Sequence, residues 1–523
     1  MNKDIYNKEA KEWLGILLII FLGLIVYSNS LNGKFLWDDN ALIKDNVYIR
    51  NWSNVEKFFV SDSTNVTKPV FYRPFQMVTY AVDYSIWKLN VRGYHLTNIL
   101  LHILVALLLY WLINILYKDT LIALLASIFF VTHPVHTEAV AYMSGRSDSL
   151  VGIFMLLSFI FYIKRIHTGK IRFSLFMILS YIGALLSRET SLIFPLLLLV
   201  YHYVFEEKIR PKDFFSFLVT TFIYIGLIIF ILPPGNFYTT FFQRIPGFFT
   251  AIASYTRLLI LPFQLHMGYG IKLFNLTDFK AIAGIMIIVF LFFYVLKNKN
   301  QKKIILFSVS WFLIALLPVS NLYPVNAYMS EHWLYIPSIG FFVILSSNLS
   351  RIYRIKRFHA AGMALIIGIL VFYSYLTIKQ NEYWKTPIDF YNRTIKYAPD
   401  NWGLYVNLGN AYIDIGKNEK AIASYKKALG INPNAASVYI NLGIVYNNIG
   451  RKKEAIAMFR KALKIDPKYA IAYFCLSRAC FYEKQYSLAV KYCDKAKELG
   501  FKIPIEFTEK LKKYEEYKDM GLR

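Results

Sequence analysis

The chain runs to 523 residues, 56% of them hydrophobic and 18% aromatic, with a formal charge of +26 from 59 Lys and Arg against 33 Asp and Glu. That apolar share exceeds what a water-soluble domain carries and points to a polytopic membrane protein. In isolation the basic excess would suit nucleic acid, but no nucleic-acid motif accompanies it, and basic loops flanking membrane spans account for it.

The first apolar run, about Trp13 to Tyr27, is followed by no small-residue cleavage site and is expected to stay in place as a signal anchor. Eleven spans are predicted, near 12–28, 94–116, 119–132, 149–163, 173–187, 190–205, 214–232, 280–296, 303–318, 334–350 and 358–377. Most approach the ~20 residues a hydrocarbon core requires, and several are short. The stretch 248–264 carries Arg257 and Pro262 and is expected to be re-entrant or interfacial. Four short loops are strongly basic: KRIHTGKIR (164–172), EEKIRPK (206–212), KNKNQKK (297–303) and RIYRIKR (351–357). Placed together on the cytoplasmic side, they put the N-terminus inside and the C-terminal region outside.

The opposite side then collects WDD (37–39), YRPF (72–75), HPVHTEAVAYMSGRSD (133–148), SRET (187–190) and NLYPVNAYMSEHW (321–333). Ionisable residues at membrane margins are costly to bury and are therefore functional candidates. Within the first of these loops, Trp52, Val55, Phe58 and Phe59 follow a helical spacing, as do Phe75, Val78, Val82 and Ile86. Both sets suit helices lying in the interface, as a roof over a cavity.

The character changes near residue 380. Pro399, Pro433 and Pro467 recur at an offset of 34, as do Ala421, Ala455 and Ala489, and Asn407-Leu408-Gly409 returns as Asn441-Leu442-Gly443. This is the tetratricopeptide signature of two antiparallel helices per repeat. The predicted organisation is a membrane domain over 1–380 and a solenoid over 381–523, made of a linking helix (382–399), three repeats and a capping helix (504–518). The solenoid is expected to bind an acceptor protein or peptide, or else to act as a spacer or dimerisation module. Its Cys475, Cys480 and Cys493 are too few and too odd in number for a disulfide framework.

Carboxylates, several cations and an interfacial roof beside a membrane suit chemistry on a lipid-linked substrate. In sugar transfer from a polyprenyl phosphate, a carboxylate within ~3 Å of the attacking hydroxyl is the natural general base. The departing phosphate needs positive charge, which Arg supplies bidentately. The five polar stretches, their order and the repeats resemble the transmembrane-and-tetratricopeptide O-mannosyltransferases and their bacterial relatives, and more broadly the C-type glycosyltransferases. That resemblance covers most of the chain. It implies an all-α fold, transfer of a sugar, often mannose, to Ser or Thr outside the cytoplasm, no dedicated metal or other cofactor, and one member of the acidic pair as base.

Carried over to this sequence, the resemblance makes Asp38 the base and Asp39 its orienting or binding neighbour. Arg146, Arg188, His332 and Arg73 become donor-phosphate ligands, with His133, His136, Glu138, Asp148, Glu189 and Glu331 in support. Two positions depart from the animal members: His332 stands where Arg is expected, and Arg188 where Lys is usual. Both retain a hydrogen-bond donor, although His332 is cationic only near or below its pKa.

Each candidate also has a structural alternative. Asp38 and Asp39 could N-cap a helix beginning near Asn40. Arg146 could pair with Asp148, Arg188 with Glu189, and Arg73 with a lipid headgroup. His133 and His136 lack metalloprotease spacing, and Pro134 interrupts any regular helix between them, so interface hydrogen bonding rather than metal is expected. Rival functions are transfer to a lipid or glycan acceptor, movement of an oligosaccharide, or a non-enzymatic membrane scaffold built on the repeats. The Lys-, Ile-, Asn- and Tyr-rich composition points to a bacterial inner membrane with the site facing the periplasm. In a eukaryotic setting the site would face the endoplasmic reticulum lumen, and Asn51-Trp52-Ser53 and Asn65-Val66-Thr67 would be glycosylation acceptors.

Overall fold

The computed structural model describes residues 2–60, 71–232, 240–270, 272–298, 301–320, 322 and 327–514, without the side chains of 2–9 and 11. The Asn65-Val66-Thr67 sequon and the end of the expected capping helix, 515–518, lie outside the described residues. Those described form helices and no strand, and they divide into two compact units, Met1–Thr386 and Pro387–Arg523.

Seven helices of the first unit are long and apolar enough to cross a membrane: Glu12–Asn32, Val91–Tyr117, Met143–Thr168, Pro211–Ile231, Phe279–Lys297, Lys302–Val319 and Lys356–Tyr383. Thr120–Thr132 and Pro134–Val140 supply an eighth if they act as one span bent by 52°. The bend falls at Pro134, which has no N–H to continue the helical ladder. The other predicted spans are helical but short: Arg172–Ser187, Glu189–Phe205 and Ser338–Arg354. This unit is an integral membrane protein.

Large apolar side chains from many helices, among them Leu109, Phe129, Phe159, Phe194, Trp311 and Phe342, share one buried core. Pro211–Ile231 and Phe279–Lys297 instead turn Phe222, Phe230, Phe279 and Phe290 outward, as hydrocarbon-facing helices do. The stretch 248–264, expected to be re-entrant or interfacial, lies up to Ile260 in a helix, Phe241–Ile260, that contains Pro246 and a buried Arg244 and starts with a Thr240–Gln243 capping box.

In the first loop the second of the two expected helices forms, while Trp52, Val55, Phe58 and Phe59 fall on a 3-10 turn, Trp52–Asn54, and a separate four-residue helix, Lys57–Val60. Helix Pro74–Trp87 buries Met77, Tyr80 and Ala81 against Ile43, Ile49, Phe58 and Met143, and leaves Val82 and Ile86 exposed. An apolar outer face over a packed inner one is the arrangement of an interfacial helix.

The second unit stacks three helix pairs: Trp402–Asp414 with Asn418–Ile431, Ala436–Asn448 with Lys452–Ile465, and Ala470–Tyr482 with Tyr486–Glu498. Pro387–Ile395 precedes them and Ile505–Lys512 follows. A Cβ at Gly409 would lie 2.5 Å from the Tyr425 ring, and one at Gly443 2.4 Å from the Phe459 ring. The motif glycines are therefore what lets each pair close. All three cysteines are buried free thiols.

Candidate active site

Polar loops assigned above to one side of the membrane meet at one end of the first unit. Ser144 bonds to Asp39, Arg73 to Glu189, Arg188 to Asp148, and His332 to Glu138. A close backbone contact holds the centre together. A Cβ at Gly145 would lie 2.4 Å from the Glu138 carbonyl oxygen, so only glycine lets the 143–145 turn rest on the 137–140 helix.

Asp38 and Asp39 have different surroundings. Trp37 sits at φ 45°, a left-handed conformation unfavourable for a bulky residue. Around that turn Leu36 and Asp39 face inward and Asp38 stays at the surface. Asp39 is 0% exposed. Its Oδ2 accepts the Leu36 N–H at 2.9 Å, and its Oδ1 accepts the Ser144 N–H at 2.8 Å and the Ser144 hydroxyl at 2.5 Å. This staples the first loop to the 143–145 turn. The carboxylate makes no cap bond to the turn that begins at Asn40, so the N-cap alternative is not taken. Burial pushes the Asp39 carboxyl up to about 7, although all three donors favour the anion.

Asp38 is closely enough surrounded that desolvation raises its pKa too. The nearby Tyr142 hydroxyl, which accepts the Asp38 N–H at 3.1 Å, and the charge of Arg73 act against that rise. The Tyr142 ring stacks on Trp384 at 5.5 Å, next to Asn381, whose side chain donates to Val26 O and Asn29 Oδ1 at 2.9 Å. The last span thereby fixes the floor under Asp38. The Arg73 guanidinium lies over Phe71 and donates to Glu189 at 3.0 and 3.4 Å. Glu189 is thus the partner of Arg73, not of its chain neighbour Arg188.

Arg188 bonds through one Nη to Asp148 Oδ1. Both residues are 4% exposed, and Arg188 Nε and Asp148 Oδ2 have no hydrogen-bond partner among the described residues. They line a narrow cleft with Thr190, His332, Trp333 and Pro337. His332 Nδ1 is 2.6 Å from Glu138 Oε1, and Glu138 Oε2 accepts the His332 N–H at 3.0 Å. Charges therefore alternate from Asp38 through Arg73, Glu189 and Arg188 to Asp148, and His332 lines the same cleft.

Arg146 requires a correction. It is 0% exposed and its guanidinium is committed within the protein. It donates to Asn98 Oδ1 at 2.7 Å, Thr79 Oγ1 at 3.3 Å, Asp83 Oδ2 at 2.5 Å and Tyr94 O at 3.2 Å, with the Tyr80 ring 4.8 Å away. Such a fork has no face left for a phosphate. Its ion-pair partner is Asp83, not Asp148.

His133 and His136 have both ring nitrogens engaged, His133 with Leu259 O and the Val135 N–H, His136 with Phe130 O and Ser338 Oγ. They are buried braces between helix ends. Glu331 is also buried; its Oε1 accepts the His266 N–H and, at 2.7 Å, the Tyr269 hydroxyl. Sequence reasoning missed Asp83, Asn98, Tyr142, Ser144 and Tyr269. Asp83 and Asn98, polar residues inside otherwise apolar helices, carried a usable signal.

Comparison with known proteins joins the two units. Residues 409–450 match the model described as TPR repeat, and 436–469 the model described as Tetratricopeptide repeat. Protein O-mannosyl-transferase F38B6.6 of Caenorhabditis elegans is 26% identical over 444 residues, 80% of this chain and 62% of that protein. This chain is a homologue of the proteins named protein O-mannosyl-transferase. Tmtc3 of Drosophila melanogaster (24% identical, 81% of this chain, 56% of that protein) and TMTC1 of Homo sapiens (25%, 77% and 54%) bear the same name. The chain spans less than two-thirds of the length of each of these mannosyl-transferases. Among solved structures, MamA is similar at 22% identity over 33% of this chain and 91% of its own, with a TM-score of 0.21. The TPR protein YrrB is similar at 20% identity over 32% and 86%, also with a TM-score of 0.21.

Proposed function

We propose that this chain is a membrane glycosyltransferase of C-type architecture that moves mannose from a polyprenyl-phosphate donor to Ser or Thr hydroxyls of proteins outside the cytoplasm. Asp38 takes the acceptor hydroxyl proton as the oxygen attacks the anomeric carbon. The bond from that carbon to the phosphate oxygen breaks, polyprenyl phosphate leaves, and Asp38 releases its proton to water. One displacement without a carboxylate nucleophile inverts the anomeric configuration. Arg73, Arg188 and His332 receive the growing phosphate charge; Arg146 is no longer among these ligands. Asp39 holds the loop that aims Asp38. The repeats recruit the acceptor, and the site faces the periplasm of a bacterial inner membrane.

The observation that carries this reading is the division of labour in the acidic pair: Asp39 is consumed by three donors, while Asp38 stays at the surface beside Arg73. A lipid-linked donor explains why a base stands at a membrane margin. The test is transfer from radiolabelled polyprenyl-phosphate-mannose to envelope protein by the purified chain in nanodiscs. Ser- or Thr-linked mannose of inverted configuration is expected. Transfer only to lipid or glycan would change the acceptor class, and no transfer from any polyprenyl-phosphate sugar would leave the scaffold function.

The same chemistry sets a pH dependence. Asp38 must be ionised to accept a proton, and Asp39 must be ionised to hold three donors at full strength. Both pKa values are raised, Asp39 to about 7, so transfer falls as pH drops below neutrality rather than near pH 4. Ser144→Ala removes one donor that favours the Asp39 anion, and the acid limb is expected to move up by roughly half a unit to one unit. A limb that stays in place in a pH profile of this variant would separate Asp39 from the profile.

A further inference from the structure

The second helices of the first two repeats share an uncompensated basic face. Asn418–Ile431 presents Lys426 and Lys427, and Lys452–Ile465 presents Arg460, Lys461 and Lys464, all five exposed. They project away from the buried side of each helix, which holds Ala421, Tyr425 and Ala428 in one and Ala455, Phe459 and Ala462 in the other. The uncharged positions on the same face are Ala423, Gly430 and Ala457, so no bulky side chain interrupts it. Residues 421–431 and 455–465 contain no Asp or Glu, and none of the five cations forms an ion pair with a described residue. The fold does not require this charge. In the third repeat, 34 residues on from Arg460 and Lys464, stand Asp494 and Glu498, which pair with Lys497 and Lys495. A cation in the last turn complements a helix dipole, which accounts for Lys464 alone. A flat face of one sign without counter-charge suits an anionic partner.

We propose that this face docks on the anionic phospholipid headgroups of the membrane that the chain itself spans. The last span ends at Tyr383 and the first solenoid helix starts at Pro387, so residues 384–386 are the whole tether. A short tether makes docking an intramolecular event at high effective concentration, an advantage no soluble polyanion shares. Each cation brought near an anionic bilayer favours the docked state by about fivefold. Resting on its second helices, the solenoid keeps its first helices clear for a protein partner. Such docking does not depend on the transfer reaction.

The experiment is lysine acetylation of the full chain, read residue by residue by mass spectrometry, in nanodiscs of phosphatidylcholine alone and of equal parts phosphatidylcholine and phosphatidylglycerol. At low salt, Lys426, Lys427, Lys461 and Lys464 are expected to react at least about fivefold more slowly in the anionic discs, the worth of one cation at such a surface. Lys417 and Lys484, in the turns at the far ends of these helix pairs, should keep their rates. The protection should disappear in molar salt, where the Debye length falls to about 3 Å. Arg460→Gln with Lys464→Gln, both at exposed positions, should reduce the protection of Lys427 and Lys461 without lowering the melting temperature. Equal rates in the two kinds of disc would overturn the proposal, as would protection that spreads equally to Lys417 and Lys484 or survives molar salt. Soluble polyphosphate that shields the four lysines in neutral discs better than phosphatidylglycerol does would also overturn it, in favour of a soluble polyanion.

Discussion

Asp38→Asn is expected to lower kcat for mannose transfer by about 10²- to 10⁴-fold, the range that a positioned general base contributes. The donor KM should change little, because the proton moves only in the transition state, and a group acting there alone affects kcat and kcat/KM together. Thermal stability should be unchanged, since Asp38 lies at the loop surface. Asp39→Asn has the opposite signature. Its amide would turn an N–H₂ toward either the Leu36 N–H or the two Ser144 donors, setting donor against donor in a site with no exposure. About 1–3 kcal/mol of stability is at stake, and activity falls because the loop loses its staple. Steady-state kinetics and melting curves on both variants decide the matter. If Asp39→Asn kept its stability and lost kcat, while Asp38→Asn transferred normally, the base would be Asp39.

The fold was legible in the sequence to the extent that periodicity encodes it. The offset of 34 located the helix pairs, and Gly409 and Gly443 lie against Tyr425 and Phe459 as small-residue positions in a stacked pair should. The basic loops sorted the polar stretches onto one side, and WDD, YRPF, SRET and the 133–148 segment do come together. What could not be read was partner choice. Arg146 lies two residues from Asp148 and Arg188 next to Glu189, yet the pairs that form are Arg146 with Asp83, Arg188 with Asp148 and Arg73 with Glu189. Arg146 and Asp148, two apart on one helix, face different ways, and Arg188 is extended backbone between two helical segments, so neighbouring charges point to different elements and only the packing of several helices settles which ones they meet. Asp38 and Asp39 differ for a similar reason. The left-handed turn at Trp37 divides surface from interior, and no sequence signal marks a bulky residue for that conformation.

Arg146→Ala is expected to destabilise the membrane unit rather than simply weaken donor binding. The substitution strands Asp83, 2% exposed, and withdraws donors from Asn98, Thr79 and the Tyr94 carbonyl together. Breaking a buried pair on one side costs about 3–5 kcal/mol, because the remaining charge has neither water nor counter-ion. The melting temperature in detergent should fall by at least about 5 °C. Arg146→Lys should recover little, since a single ammonium cannot reach Asn98 and Asp83 through separate arms of a fork. Removing both charges is the informative case. Arg146→Met with Asp83→Leu replaces the pair by apolar groups and should regain a large part of the lost stability, as buried pairs replaced whole often do. A phosphate ligand predicts the reverse on each count: Arg146→Ala would melt like the wild type, donor KM would rise, and a second change at Asp83 would restore nothing. Melting temperature and donor KM on these three variants therefore separate a brace from a binding residue, and the four acceptors already around the guanidinium favour the brace.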